Sequence, residues 1–168
     1  TLREFPGKAA AREAAAYAWV RSGIMSGQSS SVVQRLETMQ ALRLPADVLA
    51  EAIDRAYAGV LTENDATLWE RMLALCDTVR PQVTDQTRHG RLAEITLDFC
   101  FVLDRLREAL DVLEAGVPGR DRIWHETLSS KLKGHLALQQ GREALVNFAL
   151  FFMQPERPVF EAASPALS

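Results

Sequence analysis

The feature that most constrains the fold is the spacing of the apolar residues between positions 92 and 113. They recur at alternating steps of three and four: Leu92, Ile95, Phe99, Val102, Leu106, Ala109 and Leu113. On a helix of 3.6 residues per turn these steps place every member on one side, whereas a strand alternates at every second residue. The spacing therefore predicts one long helix over 84–115.

Local signals set the ends of this helix. Thr84 or Asp85 is placed to cap its start, and Gly116 follows its last residue, Ala115. Apolar residues occupy the opposite side as well between Leu97 and Phe101. We therefore expect the middle of the helix to lie at the centre of the core.

A second long helix is predicted to follow a short connection. The run Gly-Val-Pro-Gly-Arg at 116–120 breaks the first helix, and Asp121 is placed to cap the next one, over 121–153. A connection this short favours antiparallel neighbours, so 84–115 and 121–153 form a helical hairpin. Gly134 and Gly141 lie inside the second arm, where a kink or a close helix contact would account for them.

Shorter helices are predicted for residues 1–81. An alanine-rich segment over 8–25 favours a helix, because Ala has the highest helix propensity. Capping-box patterns, Ser31 with Gln34 and Thr62 with Asp65, predict helices over 31–43 and 63–80. A further helix begins after Pro45, and Pro81 ends the last one of this half.

No segment has the alternating pattern or the turn residues of a β-hairpin. The sequence therefore predicts an all-α helical bundle of about five to six helices, built around the hairpin. We interpret residues 1–168 as a single domain. In it, 1–81 form the shorter helices, 82–154 the hairpin and 155–168 a C-terminal tail.

The end of the second arm, residues 144–153, is apolar on every side except at Asn147 and holds three of the seven Phe residues. Such a helix end is either enclosed by the bundle or docks another molecule. Antiparallel pairing would place it beside 84–92, which is too polar to cover it, so helices of the N-terminal half or a partner must do so. The covering residues on the first helix would be Tyr17, Val20 and Ile24. The candidate partner-binding residues are Leu145, Phe148, Phe151, Phe152 and Met153.

Composition excludes several function classes. The net charge of −3 and the scattered arginines argue against a nucleic-acid partner bound through its phosphates. No apolar run has the length of a transmembrane helix, and no signal peptide is visible, so a cytoplasmic location is the default expectation. Cys76 and Cys100 lie in apolar helical runs and are expected to be buried; the sequence leaves open whether they pair.

No catalytic or cofactor-binding constellation is evident, so we expect a protein that is not an enzyme and holds no cofactor or metal. None of the three histidines has a Glu three positions before it, and His89 has only Asp85 within reach on its helix face. Phosphate-binding glycine loops are absent as well. Acids turned inward, such as Asp98 with Asp104 or Glu51 with Asp54, would be the basis of an enzyme alternative.

Residues 130–134, Ser-Lys-Leu-Lys-Gly, resemble a short motif of a known protein family. Histidine-containing phosphotransfer domains, which are helical bundles, have a phosphorylated His followed by x-Leu-Lys-Gly. Ser130 stands here where that His would be, and His135 lies beyond Gly134. The resemblance implies a phosphotransfer-like docking bundle without a phosphoryl acceptor.

Together these observations predict a non-enzymatic protein–protein interaction module, such as an adaptor, chaperone or assembly component, which binds a protein partner or forms a homodimer. A regulatory bundle that binds a small apolar ligand between its helices is the main alternative. The inactive phosphotransfer-like bundle is a more remote one.

Overall fold

A computed structural model describes the backbone of residues 6–153 and the side-chain surroundings of residues 7–147. This part of the chain forms α-helices joined by short connections and contains no strand, so the predicted all-α fold is confirmed. A single 3-10 turn, Arg80–Gln82, follows the fourth helix. The helices are α1 (Pro6–Met25), α2 (Ser29–Ala41), α3 (Ala46–Thr62), α4 (Ala66–Val79), α5 (Gln86–Val102), α6 (Leu106–Ala115) and α7 (Arg122–Met153).

The helices pack in chain order. Helix α1 packs on α2 and α3, α2 on α3 and α4, and α3 on α4 and α5, whereas α6 joins α5 to α7. Among the described residues no helix packs on one more than two places away along the chain. The largest fully buried side chains come mainly from α2 to α5: Leu36, Met39, Ile53, Met72, Leu73, Leu92, Ile95 and Phe99.

The predicted position of the core centre is confirmed. Leu97, Phe99 and Cys100, in the second half of α5, are all buried. Phe99 also meets the ring of Tyr57 from α3 edge to face, with ring centroids 6.0 Å apart. Helix α5 therefore joins the N-terminal helices to the part of the bundle that carries α7.

The prediction of one continuous helix over 84–115 is wrong at residues 103–105. Asp104 has a left-handed backbone (φ 56°), and the N–H of Arg105 donates to the carbonyl oxygen of Cys100 at 2.8 Å. The N–H of Asp104 donates to the carbonyl of Phe101, which completes a Schellman motif that ends α5. Val102, predicted to lie in the buried row, is 42% exposed beside this break.

Aspartates cap three of the helices. The predicted caps Asp85 and Asp121 are confirmed, because their carboxylates accept the N–H groups of Arg88 at 2.9 Å and Trp124 at 2.7 Å. Asp65 caps α4 by accepting the N–H of Thr67 at 2.9 Å.

The two predicted capping boxes differ from the structure. Thr62 belongs to the last turn of α3, so α4 begins at Ala66 rather than at residue 63. Helix α2 begins at Ser29, two residues before Ser31, and its start has no side-chain cap. For α4 the Asp65 carboxylate caps the first turn in place of the predicted Thr62.

The hairpin is shorter than predicted and lies at the edge of the bundle. Among the described residues α7 packs on α6 and not on α5, so the first arm is the ten residues of α6 alone. At 1.5 Å per residue α6 spans about 15 Å and α7 about 48 Å. The end of α7 therefore extends past the helix against which it packs.

Candidate interaction surface

The two halves of α7 differ in their surroundings. In the first half Leu132 is buried, and Trp124 and Leu128 are partly buried against the core. From Lys133 to Asn147 no side chain is buried. The first half thus anchors α7 to the bundle, and the second half carries a surface.

Large apolar side chains of this second half face solvent. Leu138 is 65% exposed, Leu145 is 69% exposed and Val146 is 57% exposed. Single exposed apolar residues are common on soluble proteins, but contiguous apolar surfaces mark binding sites. Leu138 and Leu145 line one depression, whereas Val146 lies about 100° further around the helix.

Helix geometry groups part of this surface into one row. Gly134, Leu138, Gly141 and Leu145 follow one another at steps of four, three and four, which places them on one side of α7. At about 100° per residue this side lies roughly opposite Leu132, which faces the core. We call these four residues the outer row.

The outer row has a shallow depression at Gly141. Six residues line it: Ala137, Leu138, Gly141, Arg142, Ala144 and Leu145. A Cβ atom built on Gly134 or on Gly141 would meet no atom within 4 Å. The close helix contact predicted at these two glycines is therefore absent within the described part of one chain.

The structure describes the side chain of only one of the five predicted partner-binding residues. Leu145 is exposed, as the docking interpretation expects. The side chains of Phe148, Phe151, Phe152 and Met153 lie outside the described residues, although the α7 backbone includes all four positions.

The cover predicted for residues 148–153 lies outside the described side chains, and up to Asn147 neither expected neighbour packs on α7. Residues 84–92 belong to the start of α5, and α5 does not pack on α7 in the described structure. Helix α1 does not pack on α7 there either, since it contacts α2 and α3. Val20 of α1 is buried, and the Tyr17 hydroxyl donates to Glu51 of α3 at 3.0 Å. Because the bundle packs in chain order, its first and last helices lie apart.

A cluster around His125 fixes the start of α7. The Nε2 atom of His125 accepts the backbone N–H of Val117 at 2.9 Å, so Nδ1 carries the proton and donates to the carbonyl oxygen of Asp121 at 2.8 Å. Arg120 also donates to Glu94 of α5 at 2.6 Å. These bonds hold the connection between α6 and α7 against the bundle. No pattern in the sequence predicts this role of His125.

The acids considered for an enzyme alternative are paired between α3 and α5. Glu51 accepts from Arg88 at 2.9 Å and Asp54 from Arg91 at 2.8 Å, while Asp98 accepts from the Tyr57 hydroxyl at 2.5 Å. The hydrogen bond from Arg55 is the largest cause that lowers the pKa of Glu51. These carboxylates are charged partners that join two helices. Asp104, the fourth acid, lies at the break after α5 instead.

The tyrosine and cysteine side chains of the bundle are held in their neutral forms. Burial, with the hydrogen bond to Asp98, raises the pKa of Tyr57 to about 12, and burial with the bond to Glu51 does the same for Tyr17. Cys76 and Cys100 are buried and unpaired, and burial raises the pKa of each thiol to about 12. Neutral buried thiols are poor nucleophiles.

The described residues contain neither a metal-ligand cluster nor a helix able to span a membrane. No three His, Cys, Asp or Glu side chains among them come together as a metal site would require. None of the helices between residues 6 and 153 has both the length and the apolar character needed to cross a membrane.

The surface on α7 thus stands out among these features. No relative identifies it. Comparison of the chain with protein-family models, curated proteins and solved structures finds no match. Any statement about function therefore depends on the geometry of α7 and of the bundle that holds it.

Proposed function

We propose that this protein is a non-enzymatic helical interaction module that self-associates through the second half of α7. The observation that supports the proposal is the exposure of Leu138, Leu145 and Val146 in the part of α7 where no described side chain is buried. Fully burying an exposed side chain of this kind contributes about 1.5–3 kcal/mol, and this gain favours a partner that covers several of them.

The design of the bundle supports the same proposal. The first half of α7 is held by Leu132 and by the His125 cluster, so the second half is presented on a rigid base. Ordering a loose segment on binding lowers affinity, and a preformed helix avoids most of that cost. A rigid helix with an apolar side is a common recognition element for another helix.

The test measures association against concentration by light scattering. We expect the average mass to rise with concentration, and Leu145→Ser to shift the midpoint at least tenfold to higher concentration while helicity is unchanged. Leu42→Ser is the matched control, because Leu42 is 55% exposed at the end of α2 and away from α7. The double variant Phe151→Ser and Phe152→Ser tests the remaining predicted residues in the same way.

Three results would contradict the proposal. One is a monomer at every concentration; another is equal association of Leu145→Ser and Leu42→Ser. The third is loss of the fold in the double Phe variant, which would assign those residues to the core. The ligand-binding and phosphotransfer-like alternatives stay predictions, and native mass spectrometry of the purified protein tests the first of them by detecting a bound apolar molecule.

A further inference from the structure

Three helical hairpins of the bundle repeat one another at a fixed spacing. Their first helices, α1, α3 and α5, begin at Pro6, Ala46 and Gln86, which are 40 residues apart. Each is joined to its second helix by a connection of equal length, residues 26–28, 63–65 and 103–105. In addition, α3 packs on α2, α5 on α4 and α7 on α6. The described chain is therefore a short array of helical repeats, in which α7 is the first helix of a fourth unit.

One contact of this array is missing at α7. Successive first helices pack on one another, α1 on α3 and α3 on α5, whereas among the described residues α5 does not pack on α7. The face of α3 that meets α5 includes Asp47, Glu51 and Asp54, whose carboxylates accept hydrogen bonds from side chains within residues 84–91. The equivalent face of α5 has no helix against it.

This uncovered face of α5 forms one side of a groove of about 390 Å³. The α5 residues that line the groove lie 40 positions after residues 46, 47, 50, 51 and 54 of α3: Gln86, Thr87, Gly90, Arg91 and Glu94. Residues 118–120 of the connection between α6 and α7 form the other side. The groove therefore lies where the array would place the next first helix.

One ion pair of the array is kept across the groove. Asp54 of α3 accepts from Nε of Arg91 in the next unit at 2.8 Å. Glu94 is the equivalent position of α5, and it accepts from Nε of Arg120 in the connection at 2.6 Å. Residues 118–120 thus replace part of the missing helix.

The other two polar positions change from acceptors to donors. Asp47 and Glu51 of α3 are carboxylates that receive hydrogen bonds from the segment covering them. The equivalent residues of α5 are Thr87, with a hydroxyl group, and Arg91, with a guanidinium group. A segment that completed the contact on α5 would therefore have to supply acceptors.

The two arginines of the groove are held in place and keep donors available. The guanidinium carbon of Arg91 lies 5.3 Å from the ring centroid of Tyr57, and that of Arg120 lies 5.2 Å from the ring of Trp124. Glu94 accepts from both arginines. Among the described residues no group accepts from Nη2 of Arg91 or from either Nη atom of Arg120. Arginines fixed by stacking and ion pairs lose little freedom when they bind a further carboxylate.

We infer that this groove binds an acidic segment of a protein partner, with a carboxylate held by Arg91 and Arg120 and a second acceptor at the hydroxyl of Thr87. A segment of polypeptide is favoured over a free anion, because residues 84–91 fill the equivalent position on α3. The groove lies at the start of α7 and apart from residues 133–147, so this inference does not depend on the proposed self-association.

Nuclear magnetic resonance of the full ¹⁵N-labelled chain tests the site with an N-acetylated, C-amidated hexaglutamate peptide. We expect the amide shifts that change with peptide concentration to cluster in residues 86–94 and 117–120. Arg91→Gln and Arg120→Gln should each weaken binding roughly fivefold or more, since each removes charge-assisted hydrogen bonds. Arg55→Gln is the matched control, because Arg55 also stacks on a tyrosine and pairs with a glutamate but does not line the groove.

A second variant tests the shape of the groove without changing its charge. Thr87→Tyr places a ring in the groove and should also weaken binding roughly fivefold or more, because it excludes the peptide. Thr67→Tyr is its control: Thr67 is the second residue of α4 and is exposed, as Thr87 is the second residue of α5 and is exposed. Circular dichroism shows whether each variant keeps its helicity.

Each outcome decides for or against the site. Clustered shift changes, with weaker binding in Arg91→Gln, Arg120→Gln and Thr87→Tyr but not in the two controls, support it. Absence of binding, shift changes spread over the whole surface, or an equal effect of Arg55→Gln overturns it. Equally tight binding of free glutamate or inorganic phosphate assigns the groove to a free anion and overturns the acidic segment. Light scattering of the same variants should show unchanged self-association, so the two proposals fail separately.

Discussion

Gly90 shows how a single residue sets the position of α7. It lies inside α5, where the connection between α6 and α7 crosses the helix. A Cβ atom at Gly90 would lie 2.1 Å from the carbonyl oxygen of Pro118, a backbone atom that cannot move without moving the connection. The absence of a side chain at this position lets residues 116–120 rest on α5 and so sets where α7 begins.

We predict that Gly90→Ala destabilises the fold by about 1–3 kcal/mol, the usual cost of overpacking a filled site. Urea denaturation measures the free energy of unfolding. Gly59→Ala is the control, because its Cβ meets no atom and should stabilise α3 by up to about 1 kcal/mol relative to glycine. Equal stability of the two variants would contradict the close approach of Pro118.

The sequence contains no sign of this role. Gly90 looks like any glycine within a helical pattern, and nothing near it in sequence marks the connection that crosses it. The contact joins residues 28 positions apart, so only the packing of α5 against that connection reveals it. The same holds for His125, whose partner Val117 is set by the shape of the connection.

At the scale of helices, the break between α5 and α6 decides how much of α7 is covered. A continuous helix over 84–115 would have run beside most of α7. Instead α5 ends in a Schellman motif, and α6 alone contacts α7. In the described structure the second half of α7 is therefore flanked only near residues 133–142, by Glu114, Asp104 and Leu106.

We predict that Asp104→Gly stabilises the fold by about 1 kcal/mol, because glycine adopts a left-handed backbone without the cost that a side chain brings. Arg43, with φ 54° at the end of α2, has the same role, so Arg43→Gly is a matched comparison with the same expected sign. Thermal unfolding followed by circular dichroism measures both variants. A loss of stability in Asp104→Gly would show that the aspartate side chain contributes more than its backbone strain costs.

The break was not predictable because the local signals for it are weak. The apolar spacing passes from Val102 to Leu106 in a normal step of four, and no glycine or proline lies between them. Aspartate tolerates the left-handed conformation but does not require it. The strong signals elsewhere were sufficient: Asp85, Asp121 and Gly116 mark helix ends where they were predicted.

At the scale of the whole molecule, packing in chain order leaves the first and last described helices with few neighbours. Helices α3, α4 and α5 share the buried centre, while among the described residues α1 packs on two helices and α7 on one. In such a fold stability is distributed unevenly, and the end helices open at lower free energy than the centre. The surface proposed for binding lies on one of these end helices.

We predict that hydrogen exchange at low protein concentration is slowest in α3 to α5 and fastest within residues 133–147. If the chain self-associates through α7, exchange in 133–147 slows as the concentration rises, because the unbound helix end no longer opens. Helix α1 is the internal control, since its exchange should not depend on concentration. Slow exchange of 133–147 in a dilute sample would contradict the exposed surface.

The sequence alone determined the helical class and most helix ends, because apolar periodicity and capping residues act within one or two turns. It also showed that residues 144–153, at the end of α7, are apolar except at Asn147. Tertiary structure alone decided which helices meet, because the contact at Gly90 joins residues far apart in the chain and the break at Asp104 has only weak local signals. Those two features place α7 at the edge of the bundle, and exposure of Leu138 and Leu145 follows from that position.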